Sequence, residues 1–530
     1  MPLPRSKGDR SLGDEIELKL AVTPSDLVKI RRAKSMLRNQ LGDRKKADVV
    51  SVYYDTPDRV LKRNGISFRL RRQGGKYLQT VKAESGDLAR RKEWEFEVSR
   101  NRPEFKATKG IKLEPLLKKK IRKQLKPVFE THVRREAIVT ESASAKVEIS
   151  LDRGVVKCDR ARAPISEVEL ELKEGDPTDL FALARKIEKV APVRLATLSK
   201  ADAGYRLADH KEHRPFRSTQ IVLARQASTA EVFREVSNSC LRQVVANEKS
   251  VGAGQPEGVH QMRIGLRRLR AAIAFFSKLT QGDLNVEKIK QDLKWITTQL
   301  APARDLDVYL RNSVEPLEHA KYSTAGSHAL KQTVKRRRKA AFSRARQAIR
   351  SKRYRKTILD VAEWLNAGPW LTTGDVKARA HQQCPAVNFV SDELTRRRKK
   401  LAKKGTNLES IDVQQRHKIR INAKKLRYAS EFFASMFPGR KAKRQRRIFV
   451  KSLKRLQSSL GDLNDFALHA GLANRLTLSR KTHMPGRRAR RRAFAAGAIA
   501  GKERVLAQPL FKSARSALQD FSEAKRYWWR

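Results

Sequence analysis

The hydrophobic period of this chain changes once. From Gly13 to about Leu207, apolar residues alternate with polar ones, as in "EIELKL" (Glu15–Leu20), "ISFRLRRQ" and "KEWEFEVS". Period two is the signature of strands whose successive side chains face opposite ways. From about Ser218 onward, apolar residues recur at spacings of three and four and turn dipeptides become scarce, which predicts helices. One chain with two periods must build two units, an α+β arrangement of a strand-rich half and an all-α half. The polar segment "LADHKEHRPFRSTQ" (Leu207–Gln220) contains a proline and lies at the change. We therefore expect a strand-built domain over 13–207, a linker over 208–220 and a helical domain over 221–530.

Eight strand-like runs are legible in the first half: the three above and "VVSVYYDT", "KYLQTVKA", "THVRREAIVT", "AKVEISLD" and "ISEVELELKEG". Turn signals such as "DTPD", "RNG" and "QGGK" separate several of them. Alternation ordinarily means one solvated face. Here, however, single strands carry single signs. Glu15 and Glu17 share a face with Lys19; Glu93, Glu95 and Glu97 share another; so do Glu148 and Asp152, and Glu167, Glu169 and Glu171. Arg69 and Arg71 form a basic counterpart, which Lys82 and Arg134 complete, with Arg135 on the opposite face.

An eight-stranded antiparallel barrel is just wide enough to hold one small ligand. Lined in this way, its acids would hold a divalent cation and its bases an anion. Mg²⁺ takes oxygen ligands from one or two carboxylates plus substrate phosphates. Glu15 and Glu17 stand about 7 Å apart along a strand and could serve one ion or bracket two. Arg69 and Arg71 offer planar forks for phosphate oxygens, and Lys19 and Lys82 offer point charges.

Composition supports an anionic partner. The 530 residues include 118 Lys+Arg against 56 Asp+Glu, a formal net charge of +62. Self-repulsion on that scale calls for neutralisation by nucleic acid, anionic lipid or polyphosphate, among which charge alone does not choose. Three widely spaced cysteines form no metal or disulfide framework. No apolar run approaches the roughly 20 residues of a membrane helix, and the N-terminal "MPLPRSKGDR" has no signal-peptide core. The expectation is a cytoplasmic protein with no membrane contact and no evident protein partner.

Taken as an ordered set, "EIELKL", "YYDTPD", "GISFRLR", "LQTVKA", "EWEFEV", "VEISLDRG", "EVELELKEG" and "LSKADAGYRL" resemble the CYTH domains, the triphosphate tunnel metalloenzymes. The resemblance implies an eight-stranded tunnel that hydrolyses inorganic triphosphate with Mg²⁺ or Mn²⁺. By position it implies Glu15, Glu17, Glu167 and Glu169 as metal ligands, and Lys19, Arg69, Arg71, Lys82, Arg134 and Lys200 as phosphate-binding catalytic cations. Glu148 and Asp152 match the late acidic positions, the first joining the metal set and the second the catalytic set. Thiamine-triphosphate hydrolysis and cyclic-AMP formation are the alternatives within the same tunnel.

The helical half repeats itself. "VHQMRIGLRRLRAAIAFF" (Val259–Phe276) matches "RHKIRINAKKLRYASEFF" (Arg416–Phe433), and "LKWITTQLAPARDLD" matches "LKRLQSSLGDLNDFA" downstream. In the first copy His260, Arg263, Arg267 and Arg270 fall on one helix face; in the second, His417, Arg420, Lys424 and Arg427 do. A merely solvated face would carry acids among such bases, and neither stripe is read as containing one. Asp305 and Asp465, at matching places, are expected to orient the bases.

This half resembles the CHAD domains. That resemblance implies a duplicated four-helix bundle whose basic stripes bind inorganic polyphosphate, and an association with polyphosphate granules. A non-catalytic polyphosphate-binding protein is the alternative outside enzymes, and nucleic acid is expected to bind only non-specifically. If His260 and His417 titrate normally, polyphosphate binding should strengthen as pH falls through about 6.5.

Overall fold

The computed structural model describes all residues except 1–12, 34–39, 84–89, 106–117, 143, 212–213, 319–324, 405–407, 409–410, 478–485 and 530. Inside its elements, the side chains of 13–15, 90–92, 318, 473–477 and 488 also lie outside the description. The chain folds as two compact units. The first takes Met1–Phe216 together with Leu241–Lys249 and Ser351–Gly368; the second takes Arg217–Cys240, Ser250–Arg350 and Pro369–Arg530. Two short pieces of the helical half thus belong to the strand-built unit.

Each of the eight predicted runs forms a strand, six of them lying wholly inside it and two passing its end by one residue, Thr56 and Ser99. The strands are β1 (Gly13–Ala21), β2 (Gln40–Asp55), β3 (Ile66–Gln73), β4 (Lys76–Ala83), β5 (Arg90–Val98), β6 (Lys126–Glu141), β7 (Ala145–Cys158) and β8 (Ala161–Gly175). A ninth, β9 (Arg194–Leu195), is too short to show a period. All neighbours are antiparallel in the order β5-β4-β3-β2-β6-β7-β8-β1-β9. β5 also pairs with β1, Gly13–Ile16 lying against Arg90–Glu93, so the eight long strands return on themselves along part of a seam. The β3–β4 hairpin shows why "QGGK" is needed: Gly74 and Gly75 have φ of 56° and 82° between the paired Gln73 and Lys76. Two positive-φ residues in a two-residue loop match the twist of the flanking strands, and glycine adopts them without strain.

Apolar side chains of the strands pack outward. Leu18 and Leu20 on β1 and Val168 and Leu170 on β8 are buried, and the helix Thr178–Val190 lies against both strands with Leu180, Phe181, Ala184 and Ile187 inside. A second helix, Lys200–Ala208, begins with a capping box: Ser199 Oγ accepts from the Asp202 amide, and the Asp202 carboxylate accepts from the Ser199 amide. That pair satisfies two otherwise orphaned donors and fixes where the helix starts. The motif "YYDTPD" also gains a structural account. The Asp55 carboxylate accepts from the amides of Thr56, Leu61 and Lys62 at 2.7–3.1 Å and from the Tyr205 hydroxyl at 2.9 Å.

The second unit is helical. The repeat helices are Pro256–Phe275 and Val413–Phe432, followed respectively by Asn285–Tyr309 and Arg440–Thr477. Each repeat helix packs on its follower, and the two repeat helices touch each other. The "FF" pairs that end the repeats explain this contact: the Phe433 ring lies 5.0 Å from Phe275 and 5.8 Å from Phe276. Buried aromatic pairs of this kind contribute about 0.5–1.5 kcal/mol beyond their burial. No helix among the described residues is long and apolar enough to cross a membrane.

The Lys200 helix is seated by close packing at Gly204. A Cβ at that position would meet the Phe129 ring at 2.0 Å, and Phe129 is itself stacked on Tyr53 with centroids 4.5 Å apart. Gly204→Ala is therefore expected to destabilise the first unit by about 1–3 kcal/mol, read as a lowered midpoint in urea; an unchanged midpoint would show that Phe129 has room to move.

Candidate active site and polyanion surface

The strands enclose a cavity of about 560 Å³. Cross-strand register assembles its acidic wall. Asp152 on β7 stands opposite Glu167 on β8, and Lys19 on β1 stands opposite Glu169 on β8. Among the described residues, Asp152, Glu167 and Glu169 form the one cluster of three or more potential ligands that could hold a metal ion, with ligand oxygens within 4.8 Å of one another. Hard carboxylate oxygens in this number suit Mg²⁺ or Mn²⁺.

Three cations are laced through the acids. The Lys200 ammonium, at the start of its helix, contacts Asp152 at 2.7 Å, Glu169 at 2.8 Å and also Glu167. Lys19 contacts Glu17 at 3.0 Å and also Glu169. Arg135 donates twice to Asp152, at 2.8 and 2.7 Å, and also to Glu169. Burial opposes charge in all four groups that follow, and the pairing overrides it. The Lys19 ammonium is held above its ordinary value by Glu169 and Glu17, and Lys200 well above by Glu167, Glu169 and Asp152. Glu169 is held well below its ordinary value by Lys19, Lys200 and Arg135, and Arg135 is raised by the two carboxylates it grips.

The facing wall is less evenly matched. Lys82 pairs with Glu93 at 2.6 Å, but Arg69 reaches Glu93 only at 3.6 Å and Arg71 reaches Glu95 only at 3.9 Å. The Nε–H groups of Arg69 and Arg71 are buried and find no acceptor among the described residues. Burial, with Arg69 next in effect, pulls Arg71 down to about 10. A buried guanidinium with unused donors favours an incoming anion.

Glu17, Lys19, Arg69, Arg71, Lys82, Glu148, Asp152, Glu169 and Lys200 all line the cavity, and Glu167 joins it through Lys200. Glu148 stands apart from the acidic trio, 3.7 Å from Lys173. The side chain of Glu15 lies outside the described residues. Arg134 requires a correction: its side chain is 89 % exposed beside an equally exposed Asp48, while Arg135 turns into the cavity. Two consecutive arginines made the parity of β6 ambiguous. The register, which places Arg135 opposite Asp152, resolves it. Sequence reading also missed Arg242, which lines the cavity from the helix Thr229–Val245.

In the helical unit the stripes differ from a simple row of free cations. Arg263 donates to the Thr297 carbonyl at 3.3 Å and lies 3.8 Å from Asp305; burial lowers it to about 10. Arg267 acts electrostatically on His260 and Arg263 in its own copy and on Arg420 and Lys424 in the other, so the two stripes meet there. Burial, then Arg420 and Arg267, pushes Lys424 down to about 7.

His260 does not titrate where free histidine does. Burial, then Arg304, pulls it down to about 4. His417 instead shares a 2.7 Å hydrogen bond with Asn464, the residue that replaces Arg304 in the second copy. Arg427 bonds Gln457 at 2.9 Å and Glu431 at 2.5 Å; Glu431 is the stripe acid that the sequence reading overlooked. Burial lowers Arg270.

A charged strand-built cavity joined in one chain to a duplicated basic helical unit defines the class. Residues 13–205 match the CYTH domain family model and residues 235–474 match the CHAD domain model, so the chain carries a CYTH domain followed by a CHAD domain. It is 27 % identical over 197 residues to an inorganic triphosphatase of Haemophilus influenzae, covering 36 % of this chain and 54 % of that protein. The chain thus spans about half the length of the curated relative it matches. The crystal structure of the CHAD domain from the plant Ricinus communis is 27 % identical and covers 58 % of this chain and 97 % of that one, with a TM-score of 0.49. A Hippeastrum protein described as having a dominant triphosphatase activity is 15 % identical, covering 36 % of this chain and 95 % of that one, with a TM-score of 0.29.

The corrected parity generates a direct comparison. Arg135→Ala, which removes a partner from two buried carboxylates, is expected to cost about 3 kcal/mol in the absence of metal. Arg134→Ala should stay within about 0.5 kcal/mol of wild type. Urea unfolding in EDTA reads both, and equal effects would overturn the assignment of Arg135 to the cavity.

Proposed function

We propose that the first unit hydrolyses inorganic triphosphate with Mg²⁺ or Mn²⁺ and that the helical unit binds inorganic polyphosphate. The observation that carries the first part is the split lumen: a cluster of three carboxylates on one wall and, on another, Arg69 and Arg71, each with a buried Nε–H that finds no acceptor among the described residues. A triphosphate is the ligand whose charge answers both, through a cation on the acidic side and directly on the basic side.

Asp152, Glu167 and Glu169 are the residues that would hold the ion, with Glu17 beside them. When bound, a divalent ion supplies charge neutralisation of the phosphates and lowers the pKa of water. Arg69, Arg71 and Lys82 bind and orient the phosphate oxygens by charge-assisted hydrogen bonds, leaving the terminal phosphorus open to attack by water. Lys19 and Lys200 keep the carboxylates ionised and in place. As charge spreads over the transferring phosphoryl, the buried Nε–H groups of Arg69 and Arg71, which find no acceptor among the described residues, are donors ready to meet it.

Phosphate release from tripolyphosphate, ATP and thiamine triphosphate, each with Mg²⁺ and with EDTA, tests the reading and separates it from the other tunnel chemistries. Tripolyphosphate with metal should be turned over fastest. Asp152→Asn and Arg71→Ala should each reduce kcat/KM by roughly tenfold to several-hundredfold. Wild-type rates in both folded variants would defeat the proposal.

The polyphosphate reading rests on Arg263, Arg267, Arg420 and Lys424, which converge from both copies with few acids between them. Its pH dependence has a definite sign. Lys424 is cationic below about 7 and neutral above, in the field of Arg420, Arg267, Asp465 and Arg427. A polyanion binds the cationic form, so affinity should fall as pH rises through about 7. His260, held near 4, stays neutral over that range and contributes no dependence there.

Binding of long polyphosphate to the full-length protein in EDTA, measured from pH 6 to pH 8, should show the decline. Lys424→Met should remove it and His260→Gln should not. A decline that persists without Lys424 would assign it elsewhere. On this reading the protein works in the cytoplasm, in association with polyphosphate granules.

A further inference from the structure

The cavity wall is not made by the CYTH-matched segment alone. Arg242 lines the same cavity as Lys19, Arg71 and Lys200, yet it lies beyond residue 205, in the part of the chain matched by the CHAD model. It sits in the piece Leu241–Lys249, which belongs to the first unit. Its place there is fixed on two sides. The guanidinium donates to Asp202 Oδ2 at 3.0 Å, and it lies 5.7 Å from the centroid of the Phe216 ring. Phe216 is itself tied to the end of the same piece, its amide donating to Asn247 Oδ1 at 2.9 Å and its carbonyl accepting from Asn247 Nδ2 at 2.9 Å.

The partner of Arg242 gives the contact its meaning. Asp202 Oδ2 also accepts from the Ser199 amide at 2.9 Å and from the Ser199 hydroxyl at 3.0 Å. One carboxylate oxygen therefore serves both the capping box and Arg242. Lys200 follows Ser199 directly and is the first residue of the helix so capped. Its ammonium is the group that touches all three acids of the cluster. A lysine side chain is long and flexible, and the backbone from which it springs decides whether it reaches three carboxylates or fewer.

We propose that Arg242 is a positioning residue of the tunnel: by holding Asp202 it fixes the first turn of the Lys200 helix, and so sets the Lys200 ammonium against the carboxylate cluster. The inference rests on the triphosphatase reading for its kinetic consequence but not for its structural one. It makes the active site depend on a side chain that a tunnel domain ending at residue 205 would lack.

The test is a double-mutant cycle in the full-length protein. Arg242→Ala should lower kcat/KM for tripolyphosphate by about tenfold, and Arg242→Lys should restore most of the loss. In a Lys200→Ala background, Arg242→Ala should cause no further loss, because its effect passes through Lys200. Arg185→Ala serves as the control. It removes contacts to Asp360 and Glu363, in the other helical piece of the same unit, and no group of that set lines the cavity. It should leave the kinetics unchanged.

Wild-type kinetics in Arg242→Ala would overturn the proposal. So would a full additional loss in the Lys200→Ala background, which would make Arg242 an independent substrate contact, or an equal loss in Arg185→Ala, which would make the effect one of general integrity. If the wild-type protein does not hydrolyse tripolyphosphate, the triphosphatase reading fails separately. The same cycle is then read by calorimetric binding of tripolyphosphate in EDTA, where the same non-additivity is expected; additive losses, or no binding by the wild type, would overturn the inference.

Discussion

Glu169 is the group on which the strand-built unit turns. It is buried inside a ring of strands, and three cations from three different elements converge on it: Lys19 from β1, Arg135 from β6 and Lys200 from a helix. An isolated carboxylate at that depth would be driven neutral by the loss of hydration. Surrounded in this way it is driven the other way and stays ionised. A network of this kind contributes little net stability compared with an apolar core, because each charge was desolvated first. Its value is a set of charges fixed before any ligand arrives, at positions a flexible surface could not hold.

The helical unit treats charge in the opposite manner. Asp305 acts on Arg263, and Asp465 acts on both Arg420 and Lys424. Arg263, Arg420 and Lys424 are all pulled below their ordinary values, each first by burial; Asp305 and Asp465 oppose this at Arg263 and Arg420, and neighbouring cations deepen it at Lys424. The acidic wall of the strand-built unit pairs its charges internally, whereas Arg263, Arg420 and Lys424 of the helical unit are buried with Asp305 or Asp465 as the acid that raises each of them. The Asn464-for-Arg304 difference shows that the duplication is not symmetric in chemistry. One histidine is bonded by an amide and the other is crowded by a guanidinium.

Much of this was legible in the sequence. Strict alternation in "EIELKL", "VEISLD" and "EVELELKEG" placed eight strands and put Glu17, Asp152, Glu167 and Glu169 on one face, because period two admits only two faces. What failed depended on partners, which a single strand does not display. Arg134 and Arg135 are adjacent, so alternation named one of them and only the opposing Asp152 shows which. Glu148 has the right parity but the wrong level along the strand, beside Lys173 instead of the acidic trio. Burial of the repeat helices was likewise invisible, and burial is what removes His260 from the physiological range and brings Lys424 into it. Arg242 lay on the far side of the change in period, where no strand pattern pointed to it.

The seam of the ring has a consequence for motion. The β1–β5 ladder joins four residue pairs, Gly13 to Ile16, whereas the ladder between β7 and β8 runs almost the whole length of both strands. Among the ladders joining the eight long strands this one has the fewest pairs, so opening the ring there breaks the fewest backbone hydrogen bonds. The strand at this hinge carries Glu17 and Lys19, just beyond the paired stretch. Amide exchange should therefore be fastest along β1's edge facing β5, and breathing of the ring would loosen one side of the charged lumen while β6, β7 and β8 stay knitted together. The fold thus places its shortest seam on the strand that also carries Glu17 and Lys19.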